Sequence, residues 1–332
     1  MATGGIYIKA LPQGTDIIID STIKNKTGLF FNSVFVQDLL PKKHSVLIKK
    51  DGYYDYKKNL EVKGNEVTKL ENVILFKKSI IFEIVTDKTQ SPFEQQNNHN
   101  TFTIINNNLY YSEIQGNSNL NQAQKKAPIL NNITAYGISN SNIIWLGLGG
   151  FLYSSNSNGQ NTEKLSQIKL EIGGKSSYQL IPANQKIFLK ENNKLLLFNQ
   201  DTKSFQEFYT TIKDLKISPD GQKILYFNDH EILFSLLDAN ADKIFLNRFS
   251  EQINDCYWLN NDYVIFSLEN KIIISEIDVR DGINTVNLPQ KIYLNNGENM
   301  TIDKPKIFLD QQDKKLYILT QDHLLVSEKL IP

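Results

Sequence analysis

The stretch Asp238-Ala239-Asn240-Ala241-Asp242 has the Asp-x-Asn-x-Asp spacing with which a calcium loop sets oxygen ligands around an ion. Such a loop also needs a glycine at its sixth position for the sharp turn and a bidentate glutamate at its twelfth. Lys243 and Phe249 stand there instead. Asp238, Asn240 and Asp242 are therefore weak metal candidates, and an acidic hairpin turn between strands accounts for the same residues. His44, His99, His230 and His323 show no metal-ligand spacing. The lone Cys256 excludes an internal disulfide or a thiolate cluster, and its apolar surroundings suit a buried, inert thiol.

Two further stretches carry reactive side chains without assembling a reaction. Asp278-Val279-Arg280-Asp281-Gly282 leaves an apolar strand and reads as a turn held by local charge pairing rather than a catalytic acid pair. Gly147-Leu148-Gly149-Gly150 is glycine-rich but lies between strands, and without a following helix N-terminus it makes no phosphate cradle. No Gly-x-Ser-x-Gly nucleophile motif occurs. No catalytic residue and no cofactor are assigned. Tyr53, Tyr54 and Tyr56 crowd behind Asp51-Gly52; part of this trio belongs to a core, and the remainder is the weak binding candidate, a contact surface for a partner or a sugar ring.

The elements that position these residues are strands. Gln222–Phe234 reads as two apolar runs joined by a polar corner at Asn228–Glu231, and the same hairpin returns from Thr101, Ile143, Lys186, Tyr263 and Lys315. Markers at Thr101, Ile143, Ile187, Ile224, Val264 and Leu316 fall at intervals of about 37 to 52 residues, the period of four-stranded propeller blades. Six blades are counted, with seven as the competitor, because Pro289–Asp303 stretches the last interval and could hide a degenerate blade. The final blade, from Lys304, supplies three runs, and Ile80–Val85 is the expected fourth strand that closes it. Thr86–Asn100 reads as a linker, and Gly116–Ala127 and Ser154–Thr162 as long surface loops.

Residues 5–76 differ in texture. Strands are expected at Gly5–Ala10, Asp16–Asp20, Ser45–Lys49, Asn59–Lys63 and Glu71–Phe76, the first two separated by the turn residues Leu11-Pro12-Gln13-Gly14. Val46 and Ile48 alternate with their neighbours as a half-buried strand requires.

This region resembles a PEGA domain. Pro12-Gln13-Gly14-Thr15 occupies the place of the Pro-Glu-Gly-Ala motif, matching it at Pro12 and Gly14. Leu39, Pro41, Val46, Ile48, Lys50, Gly52 and Tyr53 resemble the second family signature, with Lys42 standing where glycine is frequent. The resemblance implies a non-catalytic β-sandwich associated with the cell surface or envelope. Ile217-Ser218-Pro219-Asp220-Gly221, followed by QKILYF, resembles the blade turn of TolB-like and dipeptidyl-peptidase-like propellers, and the resemblance implies a TolB-like or WD40-like β-propeller.

The 332 residues carry 36 basic and 36 acidic side chains, and a nucleic-acid binder would show a basic excess. The 40% hydrophobic content fills cores, yet no run nears the roughly 20 apolar residues that span a bilayer. Met1–Gly5 lacks the basic and apolar regions of a signal peptide. Asparagine runs, NNHN at 97–100 and NNN at 106–108, reflect either codon composition or a surface that hydrogen-bonds glycans. The expected molecule is all-β: a PEGA-like sandwich over 4–78, then a propeller over 79–332. Its expected role is that of an envelope-associated binding or scaffold protein docking an envelope protein or a cell-wall glycan. It would be extracytoplasmic and reach the membrane only through a transmembrane segment upstream of this sequence. The alternative is a glycan-active enzyme or the substrate-gating propeller of a peptidase system.

Overall fold

A computed structural model describes residues 2–28, 31–85, 102–111, 127–238 and 240–331. The linker expected at Thr86–Asn100, His99 within it, and all but Ala127 of the loop expected at Gly116–Ala127 lie outside those residues. The described residues contain strands and turns and no helix. They separate into two compact units, Met1–Lys88 with Arg248–Pro332, and Thr89–Asn247.

The first unit begins with two facing sheets. In one, β1 (Gly4–Leu11) lies between antiparallel β4 (Ser33–Leu39) and parallel β7 (Val67–Ile74). In the other, β2 (Asp16–Ile19), β3 (Ile23–Lys26), β5 (Lys43–Lys49) and β6 (Tyr56–Glu61) run in the order β3-β2-β5-β6. Alternation decides what is buried: Ile6 and Ile8, Ile17 and Ile19, Val46 and Ile48 all point into one cluster. Each such side chain contributes about 1.5–3 kcal/mol by leaving water. Gly14 closes the first turn at φ 69, a conformation that costs a side-chain-bearing residue energy.

Three differences from expectation stand out here. The strand expected at Asn59–Lys63 occupies Tyr56–Glu61, because Tyr56, Lys58 and Leu60 are its inward side chains. The strand expected at Glu71–Phe76 begins earlier, at Val67, where it pairs with Gly5. β3 and β4 add two strands that carry little alternation, β3 having only exposed and half-buried positions.

The same unit holds β8 (Ile81–Ile84), β23 (Ile253–Trp258), β24 (Tyr263–Leu268), β25 (Lys271–Glu276) and β26 (Thr285–Asn287). Then come β27 (Lys291–Leu294), β28 (Asn299–Thr301), β29 (Lys306–Asp310), β30 (Lys315–Leu319) and β31 (Leu324–Lys329). β23–β26 form a four-stranded antiparallel meander. The last sheet has six strands, β28-β27-β8-β31-β30-β29, with β8 antiparallel to β31 and parallel to β27. Residues 289–303 thus contribute a hairpin to this sheet.

The second unit contains β9 (Phe102–Ile105) and β10 (Asn108–Tyr111) as a hairpin. It is followed by β11 (Ile133–Ser139), β12 (Asn142–Gly147), β13 (Leu152–Asn156) and β14 (Glu163–Lys164). The next sheet is β15 (Tyr178–Ala183), β16 (Lys186–Glu191), β17 (Lys194–Asn199) and β18 (Ser204–Tyr209). The last is β19 (Asp214–Ile217), β20 (Lys223–Phe227), β21 (Glu231–Leu236) and β22 (Lys243–Arg248). Each four-strand set is one sheet in sequence order. The apolar clusters lie between consecutive sheets, as with Phe188, Phe208, Ile224 and Tyr226. Gly137 marks a close approach of β11 to β15, where an added Cβ would sit 2.3 Å from the Pro182 ring and 2.8 Å from the Leu180 carbonyl.

Asparagine builds the corners. Nine of the nineteen non-glycine residues at positive φ among the described residues are Asn. Asn106-Asn107 and Asn140-Ser141 form two-residue links with both φ values positive, the requirement of the hairpin turn that matches strand twist. Asparagine tolerates this region because its short side chain hydrogen-bonds locally.

Candidate functional site

Two regions gather polar side chains, one in each unit. In the second, three turns converge on a groove of about 870 Å³ between the sheets β15–β18 and β19–β22. Phe208, Leu237 and Ala241 are buried beneath it. Each turn is fixed by its own side chain. Asn199 Oδ1 accepts hydrogen bonds from the backbone N–H groups of Asp201 and Thr202, both at 2.9 Å. Asp238 Oδ1 accepts from the N–H groups of Asn240 at 3.2 Å and Ala241 at 3.0 Å. Asn184 Nδ2 donates to the Leu237 carbonyl at 3.2 Å, tying the β15–β16 turn to the β21–β22 loop.

All three metal candidates, Asp238, Asn240 and Asp242, line this groove. Asp238 caps its own turn, and no group of three or more His, Cys, Asp or Glu with metal-holding geometry occurs among the described residues. The exposed side chains of Gln185, Gln200, Asn240 and Asp242 have no hydrogen-bond partner among the described residues. Lys243 Nζ sits 5.2 Å from the centre of the Phe208 ring. Sequence alone does not join these turns, because nothing in their spacing records that residues near 184, 200 and 240 meet.

In the first unit the centre of the polar cluster, Lys58, Tyr56 and Glu276, is buried, and Asn59, Arg280 and Asp281 at its edge are exposed. Lys58 Nζ, with its side chain fully shielded from solvent, donates to Glu276 Oε1 at 2.5 Å and to the Asp278 carbonyl at 2.8 Å. Tyr56 donates its hydroxyl to Glu276 Oε2 at 2.8 Å. Asn284 donates to Glu276 Oε1 from its backbone N–H at 2.9 Å and from Nδ2 at 2.8 Å. Arg280 forks onto the Asp278 carboxylate, with Nη2 at 2.6 Å, and its Nη1 reaches the Lys69 carbonyl. Asn59 donates twice to Asp281 Oδ2.

These contacts set the local electrostatics. Burial opposes ionisation of Asp278, but its hydrogen bonds from Arg280 and the nearby Lys58 charge outweigh that and hold the carboxyl below its usual range. Burial, with the Glu276 charge beside it, drives the Tyr56 hydroxyl far above its ordinary value. Tyr263 is driven up chiefly by its burial, and its oxygen accepts the Ile74 N–H at 3.1 Å.

The tyrosine trio therefore has three distinct settings. Tyr56 is enclosed, Tyr54 donates to the Asn287 carbonyl at 3.2 Å, and Tyr53 is half-buried against the sandwich core with Lys50 Nζ 5.9 Å from its ring centre. His44 is equally committed, its Nδ1 lying 2.7 Å from Asp20 Oδ2 and its Nε2 2.8 Å from the Leu40 carbonyl. His230 and His323 sit in the β20–β21 and β30–β31 turns, Gly147–Gly150 links β12 to β13, and Cys256 is buried in β23.

Residues 3–75 match the PEGA domain family, and every regular element among the described residues is a β-strand. No curated protein matches it. Among solved structures it is similar to Hsv2p of Kluyveromyces lactis, at 10% identity and a TM-score of 0.45, over 76% of this chain and 75% of that one. It is also similar to the extracellular domain of a two-component hybrid system of B. thetaiotaomicron, at 10% identity and TM-score 0.42, over 86% of this chain and 36% of that one. A component of a mitotic checkpoint complex aligns at 9% identity and TM-score 0.41, over 88% and 72%.

Proposed function

We propose that this chain is a non-catalytic binding or scaffold protein of the cell envelope. In this reading the sheets after the PEGA domain are the blades of a propeller of about six, with β8 completing the last. The PEGA domain serves as a spacer, and docking falls to the blades. The observation that carries the reading is the groove: its floor is fixed by two packed sheets, and its rim carries the exposed side chains of Gln185, Gln200, Asn240 and Asp242, which have no hydrogen-bond partner among the described residues. The roughly 40-residue recurrence of hairpins and the placing of apolar clusters between consecutive sheets support the propeller. The PEGA match supports an extracytoplasmic setting. Among the described residues no helix is long and apolar enough to cross a membrane, and the proposed tether is a segment upstream of this sequence.

A pull-down tests this. The immobilised chain is exposed to solubilised envelope proteins and cell-wall glycans beside a resin that carries no protein. A specific partner retained by the chain and not by the bare resin is the expected result. Steady degradation of a glycan or peptide pool, with nothing retained, would replace binding by turnover.

A further inference from the structure

We infer that the groove between β15–β18 and β19–β22 is a binding site for a neutral, hydroxyl-rich saccharide, an inference that rests on the binding reading above. The lining is unusual in its chemistry. Six amide side chains, Asn184, Gln185, Asn199, Gln200, Gln206 and Asn240, border one cavity. An amide presents a donor and an acceptor side by side, which is what adjacent sugar hydroxyls need, since each hydroxyl both gives and takes a hydrogen bond. Gln185, Gln200 and Asn240 keep that capacity unspent within the described structure, whereas Asn199 and Asn184 spend theirs fixing the turns. The site is thus divided into residues that hold its shape and residues that await a ligand.

Charge narrows the class. Asp201, Glu207, Asp238 and Asp242 face the groove against Lys186 and Lys243. The acidic excess repels phosphorylated or sulfated ligands, and the two lysines oppose a basic peptide. Carboxylates also accept strong hydrogen bonds from neutral hydroxyls. At about 870 Å³ the cavity lies near the top of the range of small-molecule sites, roughly 300–1,000 Å³, and has room for more than one sugar unit.

The test is calorimetric titration of the full chain with neutral hexasaccharides of glucose and of N-acetylglucosamine. A sulfated oligosaccharide and a lysine-rich peptide are run beside them. The expected result is binding of at least one neutral hexasaccharide. In the Gln200→Ala/Asn240→Ala variant that affinity falls at least tenfold with the melting temperature unchanged, and in Lys271→Ala, on the other unit, it stays the same. Neutral saccharide binding that ignores the groove variant would overturn the site. Binding of only the sulfated saccharide or the peptide would overturn the ligand class. If no saccharide binds while the pull-down still yields a specific envelope protein, this inference falls and the binding reading stands. If neither assay yields a partner, both fall.

Discussion

The joint around Lys58 and the groove around Asn240 are built from the same residue types and put them to opposite uses. In the joint, acids, amides and cations are saturated by one another: Glu276 receives four hydrogen bonds, from Lys58, Tyr56 and Asn284. In the groove, amides and carboxylates border open space. The joint converts polar side chains into geometry, since a buried charge tolerates only the arrangement that pairs it. In the groove, Asn184, Asn199 and Asp238 hold the turns, while Gln185, Gln200, Asn240 and Asp242 have no hydrogen-bond partner among the described residues. A polar cluster is thus better judged by what its atoms already hold than by its composition.

The largest effect expected from disturbing this contrast comes from Lys58→Met, which strands the buried Glu276 carboxylate and should cost about 3–5 kcal/mol. Urea denaturation gives the figure. The double variant Lys58→Met/Glu276→Leu should lose clearly less than the sum of the two single changes, and strict additivity would deny that the pair is coupled. Tyr56→Phe removes one donor to the same carboxylate and should cost about 1.5–3 kcal/mol, with folding retained.

Acid separates the regions next. Asp278 has a folded pKa held down, so it adds stability that is present above its unfolded value near 4 and lost as pH falls through the lower folded value. The urea midpoint should therefore drop between pH 5 and pH 2, and Asp278→Asn should flatten that part of the profile. An unaltered profile would refute the assignment. The smallest effect belongs to the groove: Gln200→Ala and Asp242→Asn should each move stability within about 0.5 kcal/mol, as exposed residues without internal partners do. A substantial loss in either would show that the groove, too, is spent on holding the fold.

The contrast also explains what was legible in the sequence. Hairpins were, because apolar runs flank corners such as Asn228–Glu231 at a steady interval, and strand, turn and burial all agree there. The PEGA turn was legible through Pro12 and Gly14. Lys58 was not: a lysine on an inward position breaks the alternation that marks a strand, and the partner that justifies it lies 218 residues away. Tyr56 was visible as an aromatic in a cluster, while its hydroxyl partner was hidden for the same reason. The Asp238–Asp242 turn was legible as acidic and polar, but its neighbours around 184 and 200 are brought in only by sheet packing. β3 escaped notice because an edge strand of half-exposed residues carries almost no pattern.

The seating of β8 between β27 and β31 orders the birth of the molecule in time. During synthesis every strand of the PEGA sheets has been made once Ile74 has emerged. β8 follows almost at once, yet its antiparallel neighbour, β31, is made after every other strand described above. Until Leu324–Lys329 arrives, the buried Phe82 and the backbone groups of β8 wait without that partner, open to any passing edge. Nascent chains halted short of residue 324 should accordingly be the ones that chaperones hold longest.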